Sequence, residues 1–114
     1  MSGSEETYRL GLLGEMKAEK YLSARGLKVK ERRYRAGGGE IDLICEEKDT
    51  ICFVEVKYRP RGTPGEGFLA VDPKKRERIR QAAGIYLKGR KAEKVRFDVL
   101  EITAAGIDLI RGAF

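Results

Sequence analysis

The stretch GEIDLICEEKDTICFVEVKYR, residues 39–59, decides how the chain is read. It holds two apolar runs, 40–45 and 51–57, joined by the polar Glu47-Lys48-Asp49-Thr50. Two β-rich runs about a short polar turn read as a hairpin. Side chains alternate along a strand. Ile41, Leu43 and Cys45 are therefore expected on one face, with Glu40, Asp42 and Ile44 on the other. On the second strand Cys52, Val54 and Val56 oppose Phe53, Glu55 and Lys57 in the same way. A turn centred on Lys48-Asp49 sets Asp42 opposite Glu55 and Cys45 opposite Cys52. Directly opposed side chains have Cβ atoms about 5 Å apart, so three charges gather on one face of an apolar hairpin.

Two carboxylates at that distance repel, and one pKa rises unless a cation intervenes. A divalent ion resolves the conflict. Mg²⁺ or Mn²⁺ favours hard oxygen ligands and keeps several waters when few carboxylates hold it. A bound water can become a nucleophile, and the ion can neutralise charge on a phosphate. Lys57 stands where it can orient or deprotonate that water, or stabilise the transition state. Glu15 is a third candidate carboxylate and Glu40 a fourth. The plainer alternative is an ion pair in which Lys57 neutralises one carboxylate. Such pairs gain little over apolar replacements, and three charges in one apolar hairpin favour the metal site.

The chain has 114 residues, with 24 Lys and Arg against 18 Asp and Glu, net charge +6. That length suits one domain with a single core, here 1–114 with 1–6 expected to be disordered. The charge points to an anionic partner, nucleic acid before an anionic membrane. There is no histidine, which removes His-based zinc and triad chemistry. Two cysteines do not make a secreted disulfide framework. No signal peptide or apolar run of spanning length is read here. A cytoplasmic setting without membrane insertion is the expectation.

Outward from the hairpin, 7–25 has helical spacing, with Gly11, Gly14, Glu15, Ala18 and Leu22 on one face of mostly small residues. Gly26 ends this helix. Leu12, Leu13 and Met16 form a neighbouring apolar patch, either core or a seat for a second subunit. A basic strand is expected at 27–33, then a loop carrying Gly37-Gly38-Gly39. The glycines lack the spacing of a phosphate loop and serve to turn the chain and admit a backbone. Residues 58–69, rich in Gly, Pro and Arg, read as a mobile loop. Asp72 caps a second helix with Pro73 at its first position, and Ile79, Ala82, Ala83, Tyr86 and Leu87 form its buried stripe. Strands follow at 95–102 and 107–110. The order αβββαββ gives an α/β or α+β sandwich of one mixed sheet flanked by helices.

Asp42, then Glu55-Val56-Lys57, resembles the D…(D/E)-x-K signature of the PD-(D/E)XK nuclease superfamily. Around it stand Gly14-Glu15, Gly39-Glu40-Ile41-Asp42-Leu43-Ile44, Phe53-Val54-Glu55-Val56-Lys57-Tyr58-Arg59, Ala70-Val71 with Lys75-Arg76, Ala82-Ala83 with Tyr86-Leu87, and Arg96-Phe97-Asp98-Val99. Together these resemble the YraN-like family of small bacterial proteins, related to the archaeal Holliday junction resolvases. The resemblance covers nearly the whole chain and implies a restriction-endonuclease-like fold with five strands. It implies Asp42, Glu55 and the Val56 carbonyl as ligands of Mg²⁺ or Mn²⁺, Lys57 as the catalytic lysine, and Glu15 as the helix carboxylate completing the site. Gln81 falls on the second helix, where many of these nucleases carry a polar residue near the site. Arg33 departs from the family, whose members often have Asn there.

Basic groups flank the hairpin: Lys28, Lys30, Arg32, Arg33 and Arg35 before it, Arg59 and Arg61 after it, and Lys75 among those on the second helix. They suit phosphate contacts that position a substrate without reading sequence, or else a solvated charged face. Tyr34 and Tyr58 could stack bases, or pack. The expectation is a metal-dependent nuclease acting on DNA ahead of RNA, with branched DNA cut by a homodimer as the specific form considered, since two cuts need two sites. The alternatives are a non-catalytic nucleic-acid-binding module and an RNA-processing enzyme.

Overall fold

The computed structural model describes residues 3–61 and 71–114, with side chains from Gly14 onward. The elements are α1 (Gly3–Ala24), β1 (Lys28–Ala36), β2 (Gly39–Glu47), β3 (Thr50–Arg59), α2 (Pro73–Leu87), β4 (Lys94–Thr103) and β5 (Gly106–Ile110). This is the expected order αβββαββ, in one five-stranded sheet ordered β1-β2-β3-β4-β5. Neighbours are antiparallel except β3 and β4, which run parallel across the α2 crossover.

The helices cover opposite faces. Ala18 and Leu22 of α1 pack with Leu27, Leu43, Cys45, Cys52, Val54, Leu100 and Ile102. Ile79, Ala82, Ala83 and Tyr86 of α2 pack with Ile41, Ile44, Phe53 and Val99. Small residues let α1 lie close: a Cβ on Gly14 would stand 2.9 Å from Tyr58 Cβ. The helix closes at Gly26 (φ +86) with Leu27 N–H donating to the Leu22 carbonyl at 3.0 Å. It begins at Gly3, four residues before the expected start. The side chains of Leu12 and Leu13 lie outside the described residues, as do residues 1, 2 and 62–70, on which most of the expected loop at 58–69 falls.

The glycine run corrects the strand boundaries. The expected strand at 27–33 and its loop are one long β1 and a two-residue turn, because Ala36 pairs with Gly39. Gly37 and Gly38 both have positive φ, +58 and +80, as this tight hairpin turn demands. Gly39 serves differently. A Cβ there would collide with the backbone carbonyl of Arg78 on α2. Gly39→Ala is therefore expected to destabilise by about 2–3 kcal/mol, measured as a lower urea midpoint at unchanged m-value.

The central hairpin has its expected register, with Glu47↔Thr50 at the turn and Cys45↔Cys52 paired. Both cysteines are free, and burial pushes the thiols up to about 12 and about 11, leaving them inert. Two expectations need correcting. The ladder's last rung is Leu43↔Val54, so Asp42 and Glu55 stand one step beyond it, where the strands part. Ile41 packs on the α2 side with Ile44, not with Leu43 and Cys45. Alternation slips at Asp42 because β1 also bends there: Arg33, between the rungs Arg32↔Leu43 and Tyr34↔Ile41, has φ +50.

Candidate active site

The open end of the β2–β3 ladder gathers four charged side chains. Glu55 is 5% exposed, and Lys57 Nζ lies 3.6 Å from its Oε1. Their two-residue spacing on β3 puts both on the α2 face. Lys75 Nζ reaches the same oxygen from the first turn of α2, at 2.5 Å. Asp42 Oδ2 accepts the backbone N–H of Val56 at 2.8 Å. That bond takes the place of a ladder rung and fixes the carboxylate beside the Glu55-Val56-Lys57 segment.

The electrostatics follow from this packing. Burial and then the Glu55 charge push Asp42 up to about 7 from 3.8, against the Val56 N–H and the Lys75 charge. Burial, then the neighbouring Lys75, lowers Lys57 below the ordinary lysine value, and Glu55 and Asp42 oppose this. For Lys75 burial works against the charged form, but hydrogen bonds to Glu55 and Lys57 and the two carboxylate charges outweigh it and raise the pKa. The cluster thus holds two unlike lysines, Lys75 with its pKa raised and Lys57 with its pKa lowered.

Of the residues expected at the site, Asp42, Glu55, Lys57 and the Val56 peptide come together. Glu15 stays half-buried on α1 within reach of the Asp42 charge. Its carboxylate is gripped by Arg33, Nε to Oε1 at 3.1 Å and Nη2 to Oε2 at 3.0 Å. Glu40 is exposed and pairs with Arg35 at 3.6 Å. Tyr58 packs beneath Gly14, with Lys17 Nζ 5.8 Å from its ring centroid. Arg59 is half-buried at the end of β3, Arg61 is exposed beyond it, and Gln81 lies on the exposed face of α2. Among the described residues no three His, Cys, Asp or Glu side chains form a metal-holding group. The available oxygen donors are two carboxylates and nearby peptide carbonyls.

Sequence reasoning put Lys75 among phosphate-binding groups and missed its contact with Glu55. The topology carried a signal: in a parallel crossover the helix begins near the carboxyl end of the preceding strand, where sites form in open α/β sheets. A second charged cluster was missed altogether. Asp98, fully buried, receives Arg96 Nε at 2.8 and 3.0 Å and Gly112 N–H at 2.9 Å. Glu47 joins it by accepting from Arg96 and Arg111.

Comparison with known proteins gives a consistent assignment. Residues 14–102 match the model of a family described as "Uncharacterised protein family UPF0102". A UPF0102 protein of Herminiimonas arsenicoxydans is 39% identical over 105 residues, covering 91% of this chain and 85% of its own. One from Nitrosococcus oceani is 40% identical over 111 residues, covering 91% and 90%. One from Moorella thermoacetica is 37% identical over 114 residues, covering 93% and 95%. The chain belongs to the uncharacterised protein family UPF0102, the YraN-like proteins.

Proposed function

We propose that the protein is a metal-dependent nuclease that hydrolyses phosphodiester bonds, in DNA ahead of RNA. The observation that carries this reading is the Asp42–Glu55 pair at the open end of the hairpin, faced by two lysines of opposite bias. The donor set fits Mg²⁺ or Mn²⁺. Asp42 and Glu55 offer hard oxygens, the Val56 carbonyl adds a third, and so few protein ligands suit an ion that retains water. When bound, such an ion supplies an activated water and neutralises charge on the phosphate.

The chain's own residues do the rest. The Val56 N–H holds Asp42 in one orientation. Lys57, 3.6 Å from Glu55 and with its pKa lowered by burial and Lys75, stands where it can orient an attacking water, take its proton or stabilise the transition state. Lys75, kept as ammonium, can stabilise charge on the phosphate as it transfers. Arg33 and Glu15 brace the bend that carries Asp42. Branched DNA is the favoured substrate structure, and paired cuts would call for two copies meeting near Met16, which is 58% exposed. Free, buried cysteines suit a reducing cytoplasm.

One observation favours a non-catalytic nucleic-acid-binding module instead. Lys57 and Lys75 already neutralise Glu55, as they would in a structural ion cluster. Calorimetry with Mn²⁺, run beside cleavage assays on linear, single-stranded and four-way-junction DNA and on RNA, separates the readings. Binding by wild type, loss of it in Asp42→Asn/Glu55→Gln, and cleavage of any substrate are expected. No Mn²⁺ binding by wild type, even with DNA present, would leave the binding module.

A further inference from the structure

Beside the carboxylates, between the β1–β2 turn and α2, lies a recess of about 390 Å³. We propose that it is a phosphate subsite, holding the backbone of a bound nucleic acid next to the scissile position. This rests on the nucleic-acid part of the function proposed above and adds where the strand is gripped.

The charge balance of its walls carries the inference. Two acidic residues line it, and both are engaged: Glu40 pairs with Arg35 at 3.6 Å, and Asp72 accepts the Lys75 backbone N–H at 2.8 Å as the helix cap. The cations differ. Lys74 and Arg78 are exposed and form no ion pair among the described residues. Four residues apart on α2, they share one helix face and address the same volume. The opposite wall includes Gly38 and Gly39, which present no side chain of their own to an approaching phosphate. Gly39 sits directly against the Arg78 carbonyl, which fixes the two walls to each other. Lys75 lines the recess and also contacts Glu55. A phosphate held by Lys74 and Arg78 is therefore one side chain away from the carboxylate pair. Two cations with no ion pair among the described residues, set over a backbone wall, recognise phosphate without reading a base.

The test is fluorescence anisotropy with labelled 20-nucleotide single-stranded DNA, duplex DNA and RNA in EDTA, so that binding is read without cleavage. Lys74→Ala/Arg78→Ala is compared with wild type and with Lys20→Ala/Lys91→Ala, which removes the same charge at exposed positions elsewhere. Alanine at exposed helix positions preserves the fold, and circular dichroism checks it. The subsite predicts an affinity about 10-fold or more lower for the α2 variant alone. Its plot of log affinity against log salt should be shallower by roughly 2, about one per lost phosphate contact. The probe that loses most identifies the backbone the recess prefers. Equal losses in both variants, or none in either, overturn the subsite. If the α2 variant alone loses affinity while wild type cleaves nothing, the subsite stands and the nuclease reading falls. If wild type binds none of the probes, both fall.

Discussion

At pH 8 in EDTA, Asp42→Asn is expected to be more stable than the wild type by about 2 kcal/mol, and in Mg²⁺ to cleave at least about 10³-fold more slowly. Both effects have one source. Burial and the neighbouring Glu55 charge raise Asp42 from 3.8 to about 7 in the folded chain. Between those values the native state holds a proton that the unfolded state has released, so stability falls as pH rises through this window. Below it the group has no effect; above pH 7 the native carboxylate is ionised and its full cost is present. That difference in pKa corresponds to about 4 kcal/mol in a site closed to water, and about half that where water reaches the group. Asn carries no charge and keeps an acceptor for the Val56 N–H. The advantage of the variant should therefore shrink or reverse at pH 5. A loss of 10³ in rate is about 4 kcal/mol of transition-state stabilisation, reasonable for removing a metal-binding carboxylate. Thermal melts at pH 5 and pH 8 and rates in Mg²⁺ check both halves. A stability difference unchanged with pH would sink the electrostatic account.

Asp98→Ala is expected to lose about 3–5 kcal/mol, the cost of breaking a buried ion pair from one side. Asp98 has no exposed surface and accepts from both Arg96 and the Gly112 backbone. Its removal strands the guanidinium and releases the turn after β5. The melting temperature should fall by at least about 10 °C. Arg96→Met/Asp98→Asn, which removes the charge yet keeps an acceptor for Gly112, should recover part of the loss. A drop under about 1 kcal/mol in Asp98→Ala would show that Glu47 alone can hold Arg96.

The hairpin 39–59 was legible because its apolar alternation and polar turn determine a register, and that register brings Asp42, Glu55 and Lys57 to one end. The helices were legible from the small residues of α1 and from the cap and apolar stripe of α2. What escaped were local departures from regular geometry. Alternation cannot foresee the slip at Asp42, since it arises from a bend shared with Arg33 on the neighbouring strand. Nor does any periodicity reveal that Lys75 turns inward while Lys74 stays exposed. That depends on where the crossover sets down the first turn of α2. Asp98 carried the signal that exposed Glu55, charged residues two apart in an apolar strand, but its partner Gly112 and the second partner of Arg96, Glu47, lie far away in sequence.

The parallel pairing of β3 with β4 also fixes an order of assembly. The rungs of β2 with β3 join close sequence neighbours, whereas Thr50↔Lys94 and its successors join residues separated by the whole crossover. Local pairings close fast and non-local ones slowly. The hairpin therefore brings Asp42 toward Glu55 while Lys75 still belongs to an undocked segment. In the early chain the two carboxylates repel in water, a weak effect at that dielectric. Docking of α2 delivers Lys75 as a second ammonium at Glu55, beside the Lys57 that β3 already carries. The chain thus completes the ion cluster around Glu55 only at its last, non-local step.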